Sequence, residues 1–154
     1  MAVTLGPLDL VAVDSLETAL HTHFGWSRFR AGQRPVVEAV LSGRDALAVL
    51  PTGGGKSLCY QLPALIREGL VVVISPLVAL MEDQVLQLRR RGISAACLHA
   101  GLDPVRRQQA MAALRDESLR LRYLAPERLQ GEATQRLLET HAAEGRLVAL
   151  AVDE

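Results

Sequence analysis

A chain of 154 residues, 49% of them hydrophobic, can bury one core and implies one domain or most of one. Its 17 Lys and Arg balance 17 Asp and Glu at a pI near 6.9, which excludes attraction to nucleic acid or membrane by overall charge and leaves only a local surface, or one on parts not present, for that purpose. No apolar run approaches the eighteen or so residues of a membrane span, and the apolar stretch 1–13 contains Asp9 and lacks the basic flank of a secretory signal.

Asp14 followed by Glu17 reads as a capping box opening a helix to about His23. Phe24-Gly25-Trp26 breaks it, and a second helix is expected over 33–41, with Pro35 tolerated in its first turn and Gly43 as its stop. Apolar runs of strand length then recur at 46–50, 70–74, 93–98, 119–125 and 147–152, separated by helix-like stretches at about 56–68, 77–91, 104–115 and 134–144. Gly69, Gly92 and Gly145 sit where helix C-caps belong, and Asp103-Pro104 suits an N-cap and first turn. Pro63 predicts a kink or break in the helix it occupies. Strands this apolar are covered on both faces, and with helical crossovers they predict an α/β, doubly wound parallel sheet. No repeat, linker or low-complexity tract interrupts the pattern. The last strand runs straight into Asp153-Glu154, an expectation of a fragment.

Between the first strand candidate and the following helix lies Pro51-Thr52-Gly53-Gly54-Gly55-Lys56-Ser57. Strand, Gly-rich turn and helix N-terminus make a phosphate loop: successive N–H groups converge on phosphate oxygens with no Cβ in the way. Lys56 would reach the β- and γ-phosphates, and the Ser57 hydroxyl would ligate Mg²⁺. Sixteen of the 17 basic residues are Arg and the single Lys is Lys56, so an ammonium stands in the one slot that requires it. The alternative is a Gly-rich loop that merely turns the chain.

The strand 147–152 ends in two carboxylates, and ligands of α/β sheets gather at the carboxyl ends of strands. Asp153 would bind Mg²⁺ and Glu154 would orient the attacking water. Cys59 and Cys97 are too few and too far apart for a disulfide framework or a metal knuckle; they read as small core residues in a reducing setting. His21, His23, His99 and His141 have no ligand spacing and read as surface or turn residues. Arg89-Arg90-Arg91 reads as a complement to a helix dipole rather than a nucleic-acid patch.

Several stretches together resemble the RecQ family of DNA helicases. They are Phe24-Gly25-Trp26 through Phe29-Arg30 to Gln33; Leu50 through Ser57 with Leu58-Cys59-Tyr60-Gln61; Val73-Ile74-Ser75-Pro76-Leu77 with Asp83-Gln84; Tyr123-Leu124-Ala125-Pro126-Glu127-Arg128-Leu129; and Val152-Asp153-Glu154. The resemblance covers nearly the whole chain in order. Leu50 stands where the strict phosphate-loop pattern has Gly, a departure that superfamily 2 helicases allow.

The resemblance implies a RecA-like lobe, truncated, with residues 1–43 as a helical segment carrying an adenine-recognition motif and 44–154 as the first ATP-binding lobe, incomplete at its C-terminus. Thr52, Gly53, Gly54, Gly55, Lys56 and Ser57 would hold ATP, and Ser57 and Asp153 its Mg²⁺, with Lys56 and Glu154 catalytic. Trp26 and Arg30 would stack on adenine and Gln33 would read its edge, while Phe24 and Phe29 anchor the first helix. Ser75, Pro76 and Leu77, with Pro126, Glu127 and Arg128, would contact single-stranded DNA, although each turn also reads as an ordinary strand-to-helix connection. The implied activity is ATP-driven 3′-to-5′ translocation on single-stranded DNA and unwinding of partly duplex DNA in recombination and repair, in the cytoplasm or at a bacterial nucleoid. The zinc of the family's C-terminal region is not expected here, and this chain alone is expected to be inactive. A non-motor nucleotide-binding module and a non-functional gene fragment are the rival readings.

Overall fold

The computed structural model describes residues 13–113 and 115–153, with side chains from Leu16 onward. Helices α1 (Val13–Phe24), α2 (Gln33–Leu41) and α3 (Leu58–Ile66) precede β1 (Leu70–Ile74). Then follow α4 (Val78–Arg90), β2 (Ala95–Leu98), α5 (Pro104–Ala113), β3 (Leu121–Leu124), a 3-10 turn (Pro126–Gln130), α6 (Glu132–Ala143) and β4 (Leu147–Val152). The strands form one parallel sheet in the order β2-β3-β1-β4. This is the α/β parallel sheet that the alternating pattern predicts, and it agrees with the RecA-like lobe that the resemblance implies.

Strand residues of opposite parity bury into different clusters. Val71, Val73, Ala95, Leu121, Tyr123, Ala149 and Ala151 pack with α1 to α4 through Leu20, Val40, Leu62, Met81 and Val85. Val72, Ile74, Ala96, Leu98 and Leu124 pack instead against α5 and α6 through Ala110, Leu137 and Leu138. Connectivity requires this division. The β1-to-β2 crossover runs toward one edge of the sheet, while β2-to-β3 and β3-to-β4 run the other way. With a single hand of crossover, the first helix must lie on one face and the other two on the opposite face.

Four sequence expectations change. Residues 44–50 form no strand, and Leu47 and Val49 are 78% and 87% exposed. An extended run becomes a strand only by pairing, and the sheet's four strands pair with one another alone. Pro63 does not break α3, which continues to Ile66 because Leu58 through Ala64 are all buried and packing outweighs one lost backbone bond. Gly92 and Gly145 close α4 and α6 in left-handed conformation, with Ile93 N–H donating to Leu88 O and Arg146 N–H to His141 O. Gly69 does something else: with φ 148°, a Cβ there would lie 2.4 Å from Arg146 O, so this glycine lets the start of β1 approach β4. His99 is buried rather than at the surface.

At the amino end, the side chain of Asp14 and with it the expected capping box lie outside the described residues, and Glu17 accepts from Arg34 of α2. Asp103 caps α5 as expected, accepting from Arg106 N–H at 2.8 Å.

Candidate nucleotide-binding site

The register of the sheet sets one row of residues at its carboxyl edge. Ile74 pairs with Leu124 and Val152, and Leu98 with Leu124. The residues that follow these are therefore neighbours: Ser75, Ala125, Asp153 and His99. Separate sequence motifs thus converge on one edge, where α/β sheets bind ligands. Asp153 continues the ladder, its N–H donating to Ile74 O at 2.9 Å.

The Gly-rich loop precedes α3, with Thr52 and Gly53 exposed and Lys56 half-buried. Gly54 N–H closes a tight turn onto Pro51 O at 2.8 Å. Upstream residues hold the loop by its carbonyls. Arg30 Nη1 donates to Gly53 O at 2.6 Å, and Gln33 Nε2 donates to Gly55 O at 2.9 Å. Gln33 Oε1 accepts from Arg30 N–H at 2.7 Å, and Gln33 is only 2% exposed. Gly55 has φ 77°, and a Cβ there would lie 2.4 Å from Gln33 Nε2, so close contact between loop and glutamine requires glycine.

Trp26 is 44% exposed and stacks on Phe24, with ring centroids 5.5 Å apart. The Arg91 guanidinium lies over both rings, at 5.5 Å from Phe24 and 5.9 Å from Trp26. Arg91 thus lies against the ring of Trp26, while Arg30 is held at the Gly-rich loop. These residues line a cleft of about 330 Å³ that also reaches Gly55, Ser57 and Gln84. Phe24 is buried and Phe29 partly buried against the main core, both as anchors of α1.

The metal candidates belong to one polar network. Ser57 Oγ accepts from Gln84 Nε2 at 2.8 Å, and Asp153 Oδ2 accepts from the Tyr60 hydroxyl at 2.8 Å. Among the described residues no cluster of three or more His, Cys, Asp or Glu could hold a metal unaided. A hydroxyl plus one carboxylate suits Mg²⁺, which keeps waters and takes its remaining oxygens from phosphates. Glu154 lies outside the described residues. Burial pushes the Cys59 thiol up to about 11, as expected of an inert core cysteine.

On the other side of the edge, Ser75 is buried, and its Oγ accepts from Leu77 N–H at 3.3 Å. Pro76 and Leu77 are exposed at the start of α4. Pro126 and Glu127 are exposed in the neighbouring turn, and Arg128 is half-buried. Arg89 and Arg90 lie in the last turn of α4 and Arg91 is its C-cap residue, while Arg89 also donates to Ala95 O.

Sequence reasoning missed His99 and the Gln84 network. His99 Nδ1 accepts from Gly101 N–H at 3.1 Å, which leaves Nε2 to donate to Glu82 at 3.0 Å. The available signal was polar side chains inside otherwise apolar segments: Tyr60-Gln61 within α3, and His99 directly after β2.

A model of the DEAD/DEAH box helicase family matches residues 30–154. The chain is 53% identical over 124 residues to an ATP-dependent DNA helicase RecQ of Synechocystis, covering 80% of this chain and 26% of that protein. It is 47% identical over 116 residues to a probable ATP-dependent DNA helicase RecS of Bacillus subtilis, covering 75% and 23%. A RecQ helicase of Pasteurella multocida is 46% identical over 123 residues, covering 80% and 19%. The chain therefore spans about a quarter or less of the length of these relatives. No described helix is long and apolar enough to cross a membrane.

Proposed function

The chain belongs to the DEAD/DEAH box helicase family, with RecQ helicases among its relatives, and on that premise we propose that it forms the nucleotide-binding part of an ATP-dependent DNA helicase. The full protein would couple ATP hydrolysis to 3′-to-5′ movement on single-stranded DNA and to opening of partly duplex DNA, in the cytoplasm during recombination and repair. Residues 1–43 would supply base recognition and residues 44–154 the first ATP-binding lobe.

The observation that carries this reading is the convergence of the Gly-rich loop and Asp153 on one hydrogen-bonded network at the sheet's carboxyl edge. The loop amides and Lys56 meet the phosphates. Ser57 and Asp153 offer hard oxygens to Mg²⁺, which would neutralise charge on the β- and γ-phosphates. Glu154 follows Asp153 directly and would orient the attacking water. Trp26 would stack on the base and Arg30 flank it. Arg30 and Gln33, already bound to the loop, would link base recognition to phosphate binding. Ser75 through Leu77 and Pro126 through Arg128, on adjacent strand ends, would hold the DNA backbone.

Titration calorimetry with ATP and Mg²⁺ tests the site. Lys56→Ala should weaken binding by about 2–3 kcal/mol, the scale of a charge-assisted contact. A Lys56→Ala variant that binds ATP like the parent would remove the phosphate-loop reading.

A further inference from the structure

Gln84 carries more hydrogen bonds into this region than any role assigned above requires. It lies on α4, and its amide faces three other segments. Nε2 donates to Ser57 Oγ at 2.8 Å. Oε1 accepts from the Tyr60 hydroxyl at 3.1 Å, from Gln61 Nε2 at 3.1 Å and from the Tyr123 hydroxyl at 2.8 Å. Tyr60 in turn reaches Asp153 Oδ2 at 2.8 Å. The loop, α3, β3 and the end of β4 thus meet through one side chain.

Hydrogen counting fixes the orientation. Both phenols are buried, and burial holds each well above the ordinary tyrosine value, so each keeps its hydrogen. With donors surrounding Oε1, the amide nitrogen must point at Ser57. That nitrogen occupies one lone pair of Oγ and leaves the other for a ligand. The single hydrogen of Tyr60 is shared between Gln84 Oε1 and the carboxylate, so the position of Asp153 depends on the same junction. Only a side chain with both an acceptor and a donor can do this. Glutamate lacks the donor, and methionine lacks the donor and offers only a weak thioether acceptor.

We propose that Gln84 is a positioning residue for the magnesium–nucleotide site, setting the Ser57 hydroxyl directly and the Asp153 carboxylate through Tyr60 before nucleotide arrives. This rests on the assignment of Ser57 and Asp153 as magnesium ligands. A purely structural glutamine would support nucleotide binding equally with and without metal. A positioning one acts only where the metal is bound.

The test compares ATP affinity in Mg²⁺ with ATP affinity in EDTA, on the intact protein and on Gln84→Met, Tyr60→Phe and Lys56→Ala. Gln84→Met should leave metal-free affinity unchanged and reduce the gain conferred by Mg²⁺ by roughly 3–10-fold, the worth of one ordinary hydrogen bond. Tyr60→Phe, which removes one oxygen and keeps the ring, should do the same to a smaller degree. The double variant should lose less than the product of the two factors, because both act on one network. Tyr60→Phe carries the same split if Gln84→Met does not fold. Equal losses with and without metal, or a full Mg²⁺ gain in both variants, overturn the proposal. Lys56→Ala separates the two levels. If it binds ATP normally, the phosphate-loop reading fails; if it loses ATP under both conditions while Gln84→Met keeps the full gain, only the Gln84 inference fails.

Discussion

Gln33 has two hydrogens and two lone pairs on its amide, and the loop and Arg30 N–H use about half of them. One lone pair remains, and the second hydrogen reaches Gly54 O only at 3.5 Å, a long bond that an adenine edge would replace. Gln33→Ala should therefore have two effects. Loss of the Gly55 bond should weaken ATP and GTP alike by several-fold, and loss of the base contact should further erase the preference for ATP. Competition between the two nucleotides checks this; unchanged selectivity would confine Gln33 to holding the loop. Arg122 presents the opposite situation. It sits in the middle of β3, is 4% exposed, and its Nε and Nη1 have no partner among the described residues. Burial pushes it down from 12.5 to about 10. Because the folded value lies below the unfolded one, the charged form opposes folding at every pH below about 10, and the penalty is relieved only as pH rises beyond it. Arg122→Met should raise unfolding free energy by about 1–3 kcal/mol. Urea titrations at pH 6 and 8 should give the same gain, and a destabilised variant would mean that the guanidinium is satisfied in solution.

Among the elements, the β1–β4 pair shows how one residue sets a register. Leu70 pairs with Leu147 but Val71 with Ala149, so Val148 is an extra residue on β4. Gly69 lies directly before this irregularity, and a Cβ on it would lie 2.8 Å from Val148 Cγ2 as well as against Arg146 O. Gly69→Ala should cost at least about 1–3 kcal/mol from backbone strain alone. Thermal unfolding measures it, and an unchanged midpoint would show that β1 can shift away from β4 without loss. That displacement would carry Ile74 and hence Ser75, so the same variant should also weaken any DNA contact made by this turn.

The whole molecule places nucleotide and DNA candidates on one edge of one sheet, yet it spans about a quarter or less of its helicase relatives. Phosphoryl transfer depends on positioning and charge stabilisation, and an arginine finger supplied from elsewhere is worth about 10³–10⁵ in rate. Residues 1–154 alone should bind nucleotide without separating strands, whereas a chain of the relatives' full length should do both. Phosphate release and strand separation, each with and without single-stranded DNA, distinguish them. Robust DNA-stimulated turnover from residues 1–154 would show that this part suffices. Nucleotide binding without any DNA response in the full protein would favour a non-motor module.

What the residues determined by themselves was local and periodic. Apolar runs of strand length, glycines at left-handed caps and Asp103 before α5 follow from short-range sterics and hydrogen bonding, and the Gly-rich loop with its single Lys56 carries its chemistry in consecutive positions. Pairing is not local. The run 46–50 is as apolar as β1, but it forms no strand because no neighbour supplies its backbone partners. The same holds for the site. Tyr60 and Asp153 are 93 positions apart, and Ser57 and Gln84 are 27 apart, so no spacing rule joins them. Only the stacking of α3 and α4 on β1, β3 and β4 buries these polar groups together, and burial then requires each to find a partner.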